Sequence, residues 1–90
     1  MLSNMQMIKL AQPECIRMLG EDIVKENKDR CCPCYGNTEN GLFRFTLAMS
    51  LEDKPYKMGD ETPMDYHASV TVSPKNGEVI RDYKNSILPN

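Results

Sequence analysis

The sequence predicts an α+β domain in which one or two N-terminal helices pack on one face of a three-stranded antiparallel meander, in the order α-α-β-β-β. Apolar and polar residues alternate through residues 42–51 and again through residues 65–73. Successive side chains of a strand point to opposite faces, so this alternation is typical of half-buried strands. A turn at residues 74–77 leads into a third such segment at residues 78–84, which completes the predicted sheet.

Length and charge restrict the classes of protein to consider. The 90 residues form a single predicted domain, 1–90, and a chain of this size buries roughly 60% of its unfolded surface, which leaves room for one core. The net charge is -2, and the Lys and Arg residues are scattered along the chain. Because nonspecific nucleic-acid binding needs clustered positive charge, we expect no nucleic-acid partner.

The N-terminal segment and the cysteines indicate a cellular compartment. Residues 1–10 lack the basic start and the continuous apolar run of a secretory signal, and no stretch has the length of a membrane span. Three of the four cysteines occupy residues 31–34, a spacing that is poor for disulfides between distant segments. We therefore expect a cytoplasmic protein with reduced thiols and no membrane contact.

Two helices are predicted before the sheet. Ser3 and Gln6 have the spacing of a capping box, which predicts a short helix over residues 4–11. A second helix is predicted over residues 13–29, since a proline suits its first turn and its charges run from acidic to basic. Gly20 either allows close approach to the sheet or marks a break between two shorter helices. The residues expected to pack on the sheet are Ile16, Leu19 and Ile23.

The faces of the predicted strands follow from the alternation. Residues 30–37 contain a proline and a glycine and are expected to form a loop, and residues 52–63 form a longer polar connection. The residues predicted to face the core are Phe43, Phe45, Leu47, Met49 and Leu51 in the first strand and Tyr66, Ala68, Val70 and Val72 in the second. The residues predicted to face solvent in the second strand are Asp65, His67, Ser69 and Thr71.

The register of the last hairpin follows from pairing like residues with like. A four-residue loop over residues 74–77 sets Val72 opposite Val79 and Ala68 opposite Tyr83. Gly77 then takes the left-handed conformation that closes such a loop. Arg81 falls at the edge of the core face, and residues 87–88 are expected to tuck against the domain.

The hairpin also resembles a known family. Residues 70–79 read Val-Thr-Val-Ser-Pro-Lys-Asn-Gly-Glu-Val, which is similar to the terminal hairpin of PepSY-type domains, although Ser73 stands where an Asp is usual. The resemblance covers about a fifth of the chain, plus the element order. It implies the topology and a role in inhibiting or regulating peptidases. That family is commonly extracytoplasmic, whereas this sequence shows no secretory signal, so no functional residues are carried over.

The cysteine segment is the candidate metal or redox site. Cys31, Cys32 and Cys34 offer two or three thiolate ligands, and zinc, which prefers four, is the metal that such a cluster would hold. Neither Cys15 nor His67 is well placed as the fourth ligand, which leaves metal held between two copies as one alternative. A redox switch is the second alternative, and three ordinary loop thiols are the third.

No catalytic constellation stands out, so an enzyme is not expected. His67 is the only histidine, and its polar neighbours Asp65 and Ser69 follow the ordinary alternation of a strand. The sequence favours a small non-catalytic binding or regulatory domain that acts through protein–protein contacts, with a protein partner or a second copy of itself. The contact surfaces considered are the sheet face, the sheet edges and the 52–63 loop. The alternative is a metal-binding or redox-sensing module centred on Cys31, Cys32 and Cys34.

Overall fold

A computed structural model describes residues 1–50 and 66–89 of the chain. It confirms an α+β fold in which N-terminal helices pack on one face of an antiparallel sheet. The long connection at 52–63, together with Leu51 and Asp65, lies outside the described residues. The helices are α1 (Asn4–Leu19) and α2 (Glu21–Glu26), with 3₁₀ turns at Lys28–Arg30 and Tyr83–Asn85, and the strands are β1 (Cys31–Asn37), β2 (Phe43–Met49), β3 (Tyr66–Val72) and β4 (Val79–Arg81).

Among the described residues the sheet has four strands in the order β1-β2-β3-β4, so the predicted count of three was one short. The additional strand is β1, in the cysteine segment that was expected to be a loop. Its seven residues pair with β2 without a bulge, from Cys31 opposite Met49 to Asn37 opposite Phe43. A proline and a glycine in the segment argued against a strand, but a strand at the edge of a sheet tolerates both.

A short hairpin turn joins β1 to β2. The Thr38 N–H donates to the Leu42 carbonyl at 2.8 Å, and the Leu42 N–H donates to the Thr38 hydroxyl at 3.2 Å. Three residues lie between this pair, and the last of them, Gly41, has φ +76°. A three-residue hairpin loop normally ends in such a left-handed residue, so Gly41 closes the turn that brings β1 antiparallel to β2.

The N-terminal helix is longer than predicted, and the break falls elsewhere. The capping box is present, with the Ser3 hydroxyl accepting from the Gln6 N–H and the Gln6 side chain accepting from the Ser3 N–H. The helix then continues through Pro13, which is exposed, so that water can reach the carbonyl left unpaired by the missing N–H. It ends at Gly20, whose φ of +108° is a conformation that L-residues rarely adopt. The helices predicted over residues 4–11 and 13–29 therefore have the wrong boundary between them, since the chain shows no break near residue 12. The alternative prediction of a break at Gly20 is confirmed.

The core lies between α1 and the inner face of β2 and β3. Four of the residues predicted to face inward, Phe43, Phe45, Leu47 and Met49, are buried, as are Ala68, Val70 and Val72 of β3, while Tyr66 is half-buried. The helix α1 contributes a stripe of buried residues at helical spacing. Leu19 was predicted to pack on the sheet and belongs to this stripe, whereas Ile16 and Ile23, which were also predicted, are only partly buried beside the core. The buried residues of α1 are Met7, Ala11, Cys15, Met18 and Leu19.

The C-terminal segment runs along the far side of β3. Val72 lies opposite Val79, as predicted, and Gly77 has φ +73°. The predicted pairing of Ala68 with Tyr83 is wrong, because β4 ends at Arg81 and a 3₁₀ turn follows. The backbone then returns to β3, where Ile87 and His67 exchange two hydrogen bonds of 2.9 Å, and Leu88 packs against the core.

The helices of residues 1–50 and 66–89 are all too short or too polar to cross a membrane.

Candidate functional site

The candidate site is β1, the exposed edge of the sheet. In the described part of the chain, β1 has one neighbouring strand, β2. Residues 32–37 are all exposed, whereas every second residue of β2 is buried. The segment 31–37 contains no charged residue. Natural sheet edges are usually protected by charge, shortness or cover, so a seven-residue uncharged edge is a surface suited to strand addition.

The direction of each backbone group in β1 follows from the hydrogen bonds at its two ends. Ser50 donates to the Arg30 carbonyl and Thr38 donates to the Leu42 carbonyl, so the even-numbered residues 30–38 bond to β2. The odd-numbered residues therefore direct their backbone groups outward. Pro33 is one of these, so its missing N–H removes no bond from the sheet. The outward donors are the N–H groups of Tyr35 and Asn37, since the Cys31 N–H bonds to the Lys28 carbonyl.

The three clustered cysteines do not share one face of the strand. Cys32 and Cys34 are exposed on the outer face of the sheet, where they lie beside Ala48 and Thr46 of β2. Cys31 points to the inner face, and its thiol lies 3.4 Å from the Asn27 carbonyl. Alternation along the strand thus divides the set that was predicted to act together.

Burial separates the thiols chemically. Cys15 is fully buried in the core, its thiol donates to the Ala68 carbonyl at 3.4 Å, and burial raises its pKa to about 11. Burial also raises the pKa of the half-buried Cys31 thiol. The thiolate is the reactive and metal-binding form, so these two positions disfavour that chemistry. Cys32 and Cys34 are the exposed thiols.

Within residues 1–50 and 66–89, no three His, Cys, Asp or Glu side chains are arranged to hold a metal ion. Cys15 is buried in the core and is therefore not available as a fourth ligand. His67 lies two strand spacings from Cys32, with β2 between them. Zinc bound by Cys31, Cys32 and Cys34, with a ligand from elsewhere, stays a prediction.

A shallow apolar groove runs along the inner side of β1. Its volume is about 400 Å³, and its lining comes from both helices, from the first residues of β1 and from Leu47 of β2. The polar residues that line it are Gln12, Glu21, Lys25 and Lys28, all of which are exposed. The apolar residues that line it are Ile16, Val24, Cys31, Pro33 and Leu47.

Tyr35 is the largest side chain on β1. Its ring stacks on Phe43 with the ring centres 5.7 Å apart and the planes at 29°. The stack fixes one face of the tyrosine, while 58% of the residue remains exposed. Rigid, half-supported tyrosines are common anchors of protein interfaces.

The outer sheet face carries a polar cluster, which we call the Ser69 cluster, in place of the open solvated face that was predicted. Ser69 was expected to be exposed but is only 1% exposed. Its hydroxyl lies 3.0 Å from Arg44 Nη1 and 3.1 Å from the Thr46 hydroxyl, and its N–H donates to the Ser86 hydroxyl at 2.9 Å. Asp82 completes the cluster. Because these partners come from segments far apart in the sequence, alternation alone gave no sign of them.

Asp82 is held in the charged form by its neighbours. The Asn85 side chain donates to its carboxylate at 2.7 Å, and Arg44 Nη1 lies 2.7 Å from the same oxygen. These two contacts, with Asn85 contributing most, lower the pKa of Asp82. The cluster fastens the C-terminal segment to the sheet, which is a structural role.

Comparisons of the chain with protein-family models, with curated proteins and with solved structures returned no match.

Proposed function

We propose that this domain is a small non-catalytic binding or regulatory module that acts through protein–protein contacts along β1. The supporting observation is the contrast between the two edges of the sheet. The β4 edge has three strand residues, and the 3₁₀ turn at Tyr83–Asn85 interrupts it. Arg81 on that edge is engaged by Glu14 and Tyr83. The β1 edge is seven residues long, uncharged and exposed on both faces.

Strand addition at such an edge uses backbone hydrogen bonds for affinity and alternate side chains for specificity. In β1 the backbone hydrogen bonds come from the outward N–H groups of Tyr35 and Asn37 and from the outward carbonyls. Specificity comes from the Tyr35 side chain and from the groove beside Pro33. The resemblance to PepSY-type domains implies a role in inhibiting or regulating peptidases, which is also a regulatory role.

Position-specific photocrosslinking tests the proposal. Benzoylphenylalanine replaces Tyr35 in the full chain within its source cells, and the same probe at Tyr83 is the matched control, because the two tyrosines are 58% and 57% exposed. We expect covalent protein adducts from position 35 and few from position 83. Equal adducts at the two positions, or none at position 35, would contradict contacts along β1.

A thiol-based module is the second candidate, because Cys32 and Cys34 are exposed together on one strand face. Metal analysis and thiol titration of chain purified without chelator or tag test this role. One zinc per chain with protected thiols would favour the module, whereas metal-free chain with freely titrating Cys32 and Cys34 would contradict the metal version.

A further inference from the structure

We propose that the partner recognised by β1 is a second copy of this chain, bound antiparallel about a two-fold axis that passes between the Cys34 residues of the two copies. This inference rests on the proposed function of β1 and names its partner. The two four-stranded sheets then form one continuous sheet of eight strands. In the separate chain β1 is a long uncharged edge without cover from described residues, and a second copy covers it with an identical edge.

The outward backbone groups restrict the register. Odd-numbered residues of β1 face outward, so they must pair with odd-numbered residues of the second copy. An axis at Cys34, the middle residue of Cys31–Asn37, pairs the whole strand. The Tyr35 N–H then meets the Pro33 carbonyl of the other copy, and the Asn37 N–H meets the Cys31 carbonyl. Both outward N–H groups of β1 are then hydrogen-bonded. Pro33, which has no N–H, needs only to accept a hydrogen bond through its carbonyl.

The inner face supports the same register. Tyr35 of one copy lies opposite Pro33 of the other, and Pro33 lines the apolar groove beside Leu47. The exposed face of the tyrosine ring, whose other face stacks on Phe43, is thereby brought to the groove. The two-fold axis makes this contact twice, which covers the largest exposed side chain of each β1.

The outer face supplies a chemical signature of the register. Cys34 lies opposite Cys34 of the second copy at a non-hydrogen-bonded pair, where the Cα atoms are about 4.5 Å apart. That separation lies within the range of about 4.4–6.8 Å that a disulfide spans. Cys32 lies opposite Gly36 and has no sulfur facing it. Cys34 is therefore the thiol that links the two copies.

A small disulfide such as oxidised glutathione is the oxidant for this link. The Cys34 thiolate of one copy attacks the small disulfide, which forms a mixed disulfide and releases one glutathione thiolate. The Cys34 thiolate of the second copy attacks the protein sulfur of that mixed disulfide and releases the second glutathione. One Sγ–Sγ bond forms, one glutathione disulfide bond is consumed, and the two protons from the protein thiols go to the two glutathione thiolates.

Disulfide trapping of the full chain tests the register. The purified chain, Cys32→Ser and Cys34→Ser are treated with oxidised glutathione, alkylated, and analysed by non-reducing electrophoresis and intact mass. We expect the unchanged chain and Cys32→Ser to give a dimer of twice the chain mass less two hydrogens, and Cys34→Ser to give none. Linkage through Cys32, or mixed disulfides with glutathione alone, would overturn the register.

Sedimentation of the reduced chain over a range of concentrations tests the association itself. We expect a reversible dimer, and we expect Tyr35→Lys to raise its dissociation constant about tenfold or more, because a charge enters the centre of the pairing. Tyr83→Lys is the control and should leave the constant unchanged, and circular dichroism confirms that each variant is folded. A monomer at every concentration would overturn the second copy as partner. If position 35 still captured a different protein in cells, the proposed function would stand while this inference fell.

Discussion

Arg44 of β2 reaches past Ser69 of β3 to Asp82, placing its Nη1 atom 2.7 Å from the Asp82 carboxylate and 3.0 Å from the Ser69 hydroxyl. One guanidinium thus connects the centre of the sheet to the segment that follows β4. Ser86 adds a second link, since its hydroxyl donates to the Asp82 carbonyl at 2.6 Å and accepts from the Ser69 N–H. The segment from Asp82 to Ile87 is therefore part of the fold, and it bonds to β3 at Ser69 and His67.

Arg44→Met should lower the free energy of unfolding by about 1–2 kcal/mol, because it leaves Asp82 and the buried Ser69 hydroxyl without a charged donor. The value is modest since the arginine side chain is 36% exposed and partly screened. Arg17→Met is the matched control: it removes an exposed pair with Glu14, one helical turn away, and should cost less than about 0.5 kcal/mol. Urea unfolding followed by circular dichroism measures both. Equal losses would show that the Ser69 cluster adds nothing beyond a surface ion pair.

Stability should fall in acid. Hydrogen bonds from Asn85 and Arg44 lower the pKa of Asp82 from 3.8, and a hydrogen bond from Arg81 is the main cause that lowers the pKa of Glu14 from 4.5. Each folded-state pKa lies below its unfolded value, so the stabilisation is present above pH 4.5 and is lost as the pH falls through the folded-state values. Urea midpoints measured between pH 7 and pH 2.5 should show this decline. Asp82→Asn should flatten it more than Asp22→Asn, which removes an exposed carboxylate on α2; equal curves would contradict the assignment.

The four thiols should react in distinct phases. Cys32 and Cys34 are exposed, Cys31 is half-buried, and Cys15 is fully buried, with a pKa of about 11. With an aromatic disulfide reagent at pH 8, we expect two fast thiols, one slower thiol, and a last one that reacts only at the rate of unfolding. Mass spectrometry of peptides identifies each phase, and Cys15→Ala should abolish the last one alone. Fast labelling of Cys15 in folded chain would contradict its place in the core.

Gly20→Ala should destabilise the domain by about 1–3 kcal/mol, because a φ of +108° is strained for any residue with a Cβ atom. The added atom would also lie 3.4 Å from the Ile23 side chain. Gly36→Ala is the control: its Cβ atom would meet nothing within 4 Å, so stability should change by less than about 0.5 kcal/mol. Thermal unfolding measures both variants. A neutral Gly20→Ala would mean that α1 and α2 join without needing this conformation.

Pro33→Val should strengthen self-association while leaving the single chain equally stable. The new N–H would point outward from β1 and meet the Tyr35 carbonyl of the second copy, which adds two hydrogen bonds per dimer. At ~1 kcal/mol each, these should lower the dissociation constant about tenfold or more. Pro13→Ala removes a proline on α1, away from the edge, and should not affect association. Sedimentation gives both constants, and an unchanged constant for Pro33→Val would contradict the outward direction of residue 33.

The elements that could be read from sequence are those whose signals are local. Alternation placed Phe43, Phe45 and Val70 in the core, like-with-like pairing set Val72 opposite Val79, and the capping box located the start of α1. In each case the deciding residues lie within a few positions of one another, so a single strand face, turn or helix end settles the structure.

Only the tertiary structure decided that Cys31–Asn37 is a strand and that α1 runs through Pro13. A proline in a strand is acceptable where its missing N–H faces outward, and that depends on which side β2 occupies. Pro13 is tolerated because the packing of Met7, Ala11, Cys15 and Met18 on the sheet holds one continuous helix. The Ser69 cluster likewise joins residues 44, 46, 69, 82 and 86. The sequence by itself determined which strand residues face the core and where the turns lie. The edge strand β1, the length of α1 and the Ser69 cluster depend on contacts between distant segments, which a local pattern does not contain.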